Sequence, residues 1–367
     1  MLTELQIYGL GTALPDHAIE QQDAAEMAAT FCSAEGTKTA LVKKLYRRSG
    51  VSTRYSTLLE SSTNGAPARQ SFFYPLRTAD SGGPSTQERM QIYETKAPLL
   101  ALQSSRRALA EAGVTPQEVN HLITVSCTGF SSPGVDFHLC EQLALTPGVQ
   151  RTHVGFMGCH AALNALRVAN AITASDPKSC VLVCAVELCS LHYQYGWHAE
   201  QMVANALFAD GAAAVVGKPS SDGHAGWASV VDTASWRIAN SDDLMSWRIG
   251  DHGFQMTLSN QVPDVIREEL STWIAHWLAG NGLTTSEVDA WAIHPGGPRI
   301  LDACQDALSL SDELLRPSRN VLSRCGNMSS PTVLFILDEI RQQVRGGHCV
   351  LLAFGPGLTV EAILLRL

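Results

Sequence analysis

The stretch GVTPQEVNHLITVS, residues 113–126, returns later in the chain as GLTTSEVDAWAIHP, residues 282–295, and that repetition decides the fold. Both copies read G-x-T-x-x-E-V and both run into a short apolar strand. Thr115 precedes Cys159 by 44 positions and Thr284 precedes Asn327 by 43; Cys159 then precedes Cys180 of CVLVCAVE by 21, and Asn327 precedes Cys349 of CVLLAFGP by 22. Each half therefore reads as helix, strand, glycine-led helix, strand. Strands alternating with helices predict an α/β fold with a largely parallel sheet covered by helices. Packed about a pseudo-twofold axis, the halves bring both glycine-led helices to the centre, with Cys159 and Asn327 in matching places. The division falls at the polar KPSSDGHAG, residues 218–226, giving halves of residues 1–220 and 221–367. Residues 60–87, rich in Ser, Gly, Pro and Thr, read as a long surface excursion.

At 367 residues, 45% hydrophobic and 17% charged, the chain suits two domains or one large fused unit with a well-buried core. The first residues, MLTELQIYGLGTALPDHA, lack a basic region followed by an apolar run, and no segment approaches a membrane span, so a cytoplasmic protein without membrane association is expected. Ten cysteines with no C-x-x-C pair point to reduced thiols and to no metal or other resident cofactor. A net charge of −9 argues against a nucleic-acid partner. One segment runs against that balance: KKLYRRSGVSTR, residues 43–54, holds five basic side chains and no acid. It is either a solvated helix face or a phosphate clamp at the mouth of a site.

In VGFMGCHAALNALRVANA, residues 154–171, apolar residues recur at helical spacing from Ala161, which predicts Cys159 in the first turn of a helix. A thiolate is favoured there by unpaired N–H groups and the helix dipole. His294, in AIHPGGPRIL, ends the second-half strand, where α/β sheets gather their active sites. Cys159, His294 and Asn327 together supply a nucleophile, a base and two hydrogen-bond donors for an enolate, the set that carbon–carbon bond formation from thioesters requires. A neutral imidazole and an amide donate hydrogen bonds without acting as acids, which suits a decarboxylation.

GCHAAL around Cys159, ALFADGAAAVV around Phe208, HPGGP at His294, GNMSSPTVLF at Asn327 and FGPGLTVE at Phe354 resemble the type III polyketide synthases, the chalcone synthase-like branch of the thiolase superfamily. The resemblance runs from about residue 5 to 367, with the motifs in the family's order. It implies a five-layered αβαβα thiolase fold, a homodimer, and iterative decarboxylative condensation of malonyl-CoA onto an acyl-CoA starter. Cys159 matches the nucleophile that carries the starter, His294 and Asn327 the pair that activates malonyl-CoA, and Phe208 the phenylalanine beside the cysteine. Lys44 and Arg48 match CoA-contacting basic positions, and the stretch from Gly296 to Arg299 matches backbone beside the nucleotide.

Departures from the family concern the product. Cys127, Cys189 and His192 stand where plant relatives line the cavity with threonines, and Ser329 of the GNMSSP segment is expected to join them. Counting back from QVP, residues 261–263, places Met256 where a second gatekeeping phenylalanine lies and Trp247 at a cavity-lining glycine; Trp247 then either fills the cavity or packs in an outer layer. SSPGVD, residues 131–136, resembles the loop that reaches across the dimer, with Ser132 replacing a methionine. These changes point to a pyrone- or resorcinol-type product rather than a chalcone. Two rival readings are a β-ketoacyl synthase III-type enzyme fed by acyl carrier protein, disfavoured by HPGGP and GNMSS, and a silent lipid-binding or scaffold dimer, disfavoured by the presence of all three reactive residues.

Overall fold

The computed structural model describes residues 4–32, 38–76, 82–220 and 225–367. Residues 221–224, where the sequence divides the halves, and 77–81 of the irregular region lie outside the described residues. The first half runs β1 (Leu5–Ala13), β2 (Ala18–Glu20), α1 (Gln21–Cys32), α2 (Thr39–Arg47), β3 (Thr53–Tyr55), α3 (Thr86–Ala112), β4 (His121–Ser126), α4 (Val135–Leu143) and β5 (Gln150–Gly155). It closes with α5 (Ala161–Ser175), β6 (Val181–Leu188), α6 (Ala199–Leu207) and β7 (Asp210–Pro219). The second half runs β8 (Ala228–Arg237), β9 (Met245–Gly250), β10 (Gly253–Leu258), α7 (Val262–Gly280), β11 (Ala290–Ile293) and α8 (Pro298–Leu308). Then follow α9 (Asp312–Cys325), α10 (Thr332–Gln343), β12 (His348–Gly355) and β13 (Thr359–Arg366).

The repeated G-x-T-x-x-E-V motif is a capping box in both places. The Glu118 carboxylate accepts from the Thr115 N–H and hydroxyl, both at 2.8 Å, and the Glu287 carboxylate accepts from the Thr284 N–H at 2.8 Å and hydroxyl at 2.7 Å. Beyond each box the chain enters corresponding strands. The nine-stranded sheet has the order β11-β12-β13-β8-β1-β7-β6-β4-β5, so β4, β6, β7 and β1 repeat as β11, β12, β13 and β8. The two sub-sheets meet at β1 and β8 through two residue pairs, Gln6 with Ser229 and Ile7 with Ala228. The sheet is mixed rather than largely parallel: β4–β5, β4–β6 and β11–β12 are parallel, whereas β12–β13, β6–β7, β1–β7 and β8–β13 are antiparallel. Helical crossovers carry the parallel steps, from β4 through α4, β5 and α5 to β6 and from β11 through α8, α9 and α10 to β12, but β6 and β7 pair antiparallel even with α6 between them. After β12 the chain turns back at Pro356–Leu358, and a tight return forces antiparallel pairing.

Side-chain alternation builds the layers, because successive residues of a strand point to opposite faces. In β6, Val181, Val183 and Ala185 join the central core, while Leu182, Cys184 and Val186 face α3 and α4. In β12, Cys349, Leu351 and Ala353 join the same central core, while Val350, Leu352 and Phe354 face α7 and α8. Both strands are apolar on both faces, as sheets covered on both sides require. The central core is filled by α5 and α10, so the order across the molecule is α, β, α, β, α. This is the duplicated thiolase architecture.

The 60–87 region departs from a surface excursion. Ala68 and Phe73 are buried, and Phe73 packs with Phe31 of α1 and Tyr195. The Leu76 N–H donates to Thr30 O at 2.9 Å, tying this segment to the end of α1. Among the described residues no helix is long and apolar enough to cross a membrane.

Candidate active site

Two glycines deliver the central residues. Gly158 has φ +81° and Gly326 φ +73°, a left-handed backbone that side chains disfavour. Space forbids a side chain as well: a Cβ on Gly158 would lie 2.5 Å from Pro356 Cδ, and one on Gly326 would lie 2.9 Å from Ala209 Cβ and 3.0 Å from Leu207 O. Cys159 and Asn327 each follow such a glycine, Cys159 two residues and Asn327 five residues before its central-layer helix begins. Cys159 does not sit in the first turn, however. Ala161 begins α5 and His160 is its N-cap, so the thiol lies one residue outside the cap.

That position changes its electrostatics. The Ala161 N–H already donates to Gly158 O at 3.1 Å and the Leu163 N–H to His160 O at 2.9 Å, so the preceding turn occupies helix-end donors that the expected thiolate would have used. Burial pushes the Cys159 thiol up to about 12, against the Ser329 hydroxyl, whose contact at 3.5 Å favours the thiolate. Burial, followed by the nearby charge of His160, lowers His294 to about 3. These shifts favour a thiol over the expected thiolate and keep the imidazole neutral, as expected. His160 is turned away from this chemistry: its ring nitrogens contact Asn164 Oδ1 at 2.6 Å and Thr359 Oγ1 at 2.7 Å.

Asn327 is held by its backbone to the Phe208 strand segment, its N–H donating to Leu207 O at 2.9 Å and its carbonyl accepting from the Ala209 N–H at 2.8 Å. Its side-chain Oδ1 accepts the Ser329 N–H at 2.8 Å, which fixes the amide and leaves Nδ2 without a protein partner. Ser329 takes φ +58° and reaches both Cys159 Sγ, at 3.5 Å, and Cys127 Sγ, at 3.4 Å. His294 follows β11 and donates its N–H to Leu352 O of β12 at 2.8 Å. Its two ring nitrogens are buried with no partner among the described residues.

One cavity has Cys159, Phe208, Cys127, Cys189, His192, Trp247, Met256 and Ser329 on its wall; His294 and Asn327, each 1% exposed, are not on that wall. Met256 and Trp247 face each other across the β9–β10 hairpin. The Trp247 indole donates to Cys127 O at 2.7 Å and meets the His192 ring edge-on at 5.4 Å, so it is a wall residue and not an outer-layer one. His192 is locked by backbone: Nε2 donates to Thr128 O at 2.6 Å, and Nδ1 accepts the Phe254 N–H at 2.9 Å. Burial lowers it to about 3. A second cavity is lined by Arg48, Gly296 and Arg299; Lys44, exposed on α2, is not on its wall.

Sequence reasoning missed Glu187 and misplaced Arg54. Glu187 is fully buried behind the cavity and accepts from the Cys127 and Thr128 N–H groups, the Thr128 hydroxyl at 2.7 Å and the Ser330 hydroxyl at 2.6 Å. Burial still raises its carboxyl above the usual carboxylate range. The signal was an acid closing the otherwise apolar run CVLVCAVE. Arg54, counted with the basic segment, turns inward to donate to Asn205 O at 2.6 Å and Phe208 O at 3.0 Å. Among the described residues no group of three or more His, Cys, Asp or Glu is arranged to hold a metal ion.

The chain matches the family model "Chalcone and stilbene synthases, N-terminal domain" over residues 3–219 and "Chalcone and stilbene synthases, C-terminal domain" over residues 230–367. It is 34% identical over 360 residues to the 1,3,6,8-tetrahydroxynaphthalene synthase of Streptomyces peucetius subsp. caesius, covering 97% of this chain and 91% of that protein. It is 33% identical over 366 residues to the alpha-pyrone synthesis polyketide synthase-like Pks18 of Mycobacterium tuberculosis, covering 98% and 90%. Among solved structures, PKS-I of the brown alga Ectocarpus siliculosus superposes with a TM-score of 0.92 at 31% identity, covering 100% of this chain and 99% of that one.

Proposed function

The chain belongs to the chalcone and stilbene synthase family, the type III polyketide synthases, and from that premise we propose how its residues divide the work. The enzyme condenses CoA thioesters into polyketides. Cys159 Sγ attacks the starter thioester, CoA leaves as the thiol, and the acyl group stays on the cysteine. Malonyl-CoA then loses CO₂, and the negative charge left on its thioester oxygen is held by His294 and by Asn327 Nδ2. The enolate carbon attacks the Cys159 thioester and expels the cysteine as its thiolate, which attacks the next thioester or takes a proton from water. The observation that carries this assignment is the pair of buried, partnerless side chains. An unpaired buried polar group costs about 1–3 kcal/mol, and His294 and Asn327 each carry one among the described residues. A neutral imidazole stabilises the developing charge without protonating the carbon that must react. Half-buried Phe208 presents an apolar ring, which favours departure of neutral CO₂ over retention of a carboxylate.

The second cavity, with Arg48 and Arg299 at its rim, receives the CoA phosphates, aided from outside by Lys44. The functional unit is a homodimer. Support comes from a patch with Phe130 56%, Phe137 47%, Phe156 38% and Met157 41% exposed, flanking SSPGVD and following β5, the edge strand of the sheet. A pyrone- or resorcinol-type product is supported by the bacterial relatives named for tetrahydroxynaphthalene and alpha-pyrone synthesis.

Cys159→Ala tests the assignment. Condensation of any starter with radiolabelled malonyl-CoA, without carrier protein, should vanish while release of labelled CO₂ persists. Continued elongation would remove Cys159 from its role.

A further inference from the structure

The residues on either side of Cys159 rest on one turn of the second half, the return from β12 to β13. Before the cysteine, Gly158 lies so close to that turn that a Cβ would stand 2.5 Å from Pro356 Cδ. After it, the His160 ring covers Gly355, where a Cβ would fall 2.2 Å from the ring Cδ2 and 2.3 Å from Nε2. His160 is 2% exposed and bonded through both ring nitrogens. Asn164 Oδ1, 2.6 Å from Nδ1, can only accept, so the proton sits on Nδ1 and Nε2 accepts the Thr359 hydroxyl at 2.7 Å. Thr359 Oγ1 also lies 3.1 Å from Pro356 O, the carbonyl of the residue that Gly158 touches. Two turns along α5 the contact between helix and strand is made again, Arg167 donating to Glu361 of β13 at 2.6 Å. The turn is fixed from its own half: the Gly357 N–H donates to Met245 O and the Leu358 N–H to Ser241 O, both at 3.2 Å. The same β12 accepts the His294 N–H at Leu352 O.

We propose that His160 is a positioning residue, which through Thr359 sets the Cys159 thiol against the pair from the other half, His294 and Asn327. The thiol lies outside α5, so the hydrogen-bond ladder of that helix does not hold it. Cys159 belongs to one half and the pair it must work with to the other. The His160–Thr359 bond ties the cysteine's turn to the strands that carry His294. Its loss should leave each centre able to do its own step and spoil the transfer between them, since a shift of about 1 Å can cost about 10²-fold in rate. The imidazole itself exchanges no proton with the reacting groups. The inference rests on the reading of Cys159 as the thiol that carries the starter.

Thr359→Val, which keeps the shape and removes the hydroxyl, tests this on the full chain, with His160→Leu and His160→Gln beside it. The starter is whichever of acetyl-, hexanoyl- and benzoyl-CoA the wild type condenses fastest with malonyl-CoA. In Thr359→Val and in His160→Leu, kcat for condensation should fall about tenfold or more, while release of labelled CO₂ from malonyl-CoA alone stays within about twofold of wild type. His160→Gln, whose amide oxygen can accept the Thr359 hydroxyl again, should recover most of the loss. Adding Thr359→Val to His160→Leu should cost nothing further, because the bond is already gone. A ratio of condensation to decarboxylation that stays at the wild-type value in Thr359→Val, whether both rates hold or both fall together, overturns the proposal and leaves the role of Cys159 intact. So does a double variant in which the two losses multiply. If intact-mass analysis of the wild type finds no acyl group on Cys159 with any starter, the underlying reading fails, and this one with it. Should the His160 variants not fold, Thr359→Val alone decides.

Discussion

His192 and His294 are both buried and both lowered to about 3, yet His192 gives each ring nitrogen to the backbone and His294 gives neither to any protein group. The Thr128 carbonyl and the Phe254 N–H fix a single neutral tautomer of His192, and the Phe254 ring stacks on it. His192 is therefore held by the fold and shapes the cavity wall. His294 is neutral for the same reason, loss of hydration, but no described protein group uses its ring nitrogens. Burial alone does not distinguish the two imidazoles; the presence or absence of a partner among the described residues does.

The sharpest way to break the comparison is the same substitution at both sites. His294→Ala should slow malonyl-CoA decarboxylation about 10²-fold or more, the scale of a lost oxyanion donor. His192→Ala should leave two buried backbone groups unpaired and so cost about 2 kcal/mol or more of stability beyond what His294→Ala costs. Urea unfolding of both variants checks this. Equal stability losses would erase the distinction.

Acid supplies a second effect. An unfolded histidine titrates near 6.5, whereas both of these titrate near 3 in the folded protein. Above pH 6.5 neither state binds the proton and stability is complete. Below it the unfolded chain takes up protons first, so each histidine removes up to about 1.4 kcal/mol per pH unit until the folded value is approached. Between pH 6.5 and 5 the two together should cost about 3 kcal/mol by this reckoning. Unfolding free energies measured across that range should show His192→Ala halving the two-histidine contribution, since the side chain that excludes the proton is gone.

The smallest expected effect is at Trp247, whose indole bonds Cys127 O and supports the edge of His192. Trp247→Gly should lose about 2 kcal/mol, less than the 3–5 kcal/mol of a core aromatic, and shift products towards longer polyketides by mass spectrometry. An unaltered product profile would make Trp247 a strut for His192 and nothing more.

The duplication was legible because its signals are local. A capping box needs only four residues, and the apolar runs at Cys180 and Cys349 announce strands buried on both faces. The central glycines were legible as the residues before Cys159 and Asn327. What escaped was set by long-range packing. Whether Cys159 lies inside or outside a helix cap depends on Gly158 meeting Pro356 from the far end of the chain. Phe73 sits in a polar, glycine- and proline-rich stretch, and nothing nearby in sequence reveals that Phe31 and Tyr195 will bury it. The partner count of a histidine is equally invisible, because Thr128 and Phe254 reach His192 from separate segments.

The seam at β1 and β8 has one more consequence. If the two halves were identical chains related by a symmetry axis, whatever residue followed the glycine in one would have to follow it in the other: two thiols, or two amides. Joining the halves in one polypeptide lifts that constraint while keeping the geometry, so two equivalent positions were free to become different reagents. The chemistry proposed here depends on that broken symmetry. A thiol to hold one carbon chain and an amide to ready the next stand at positions that a true twofold axis would have made the same.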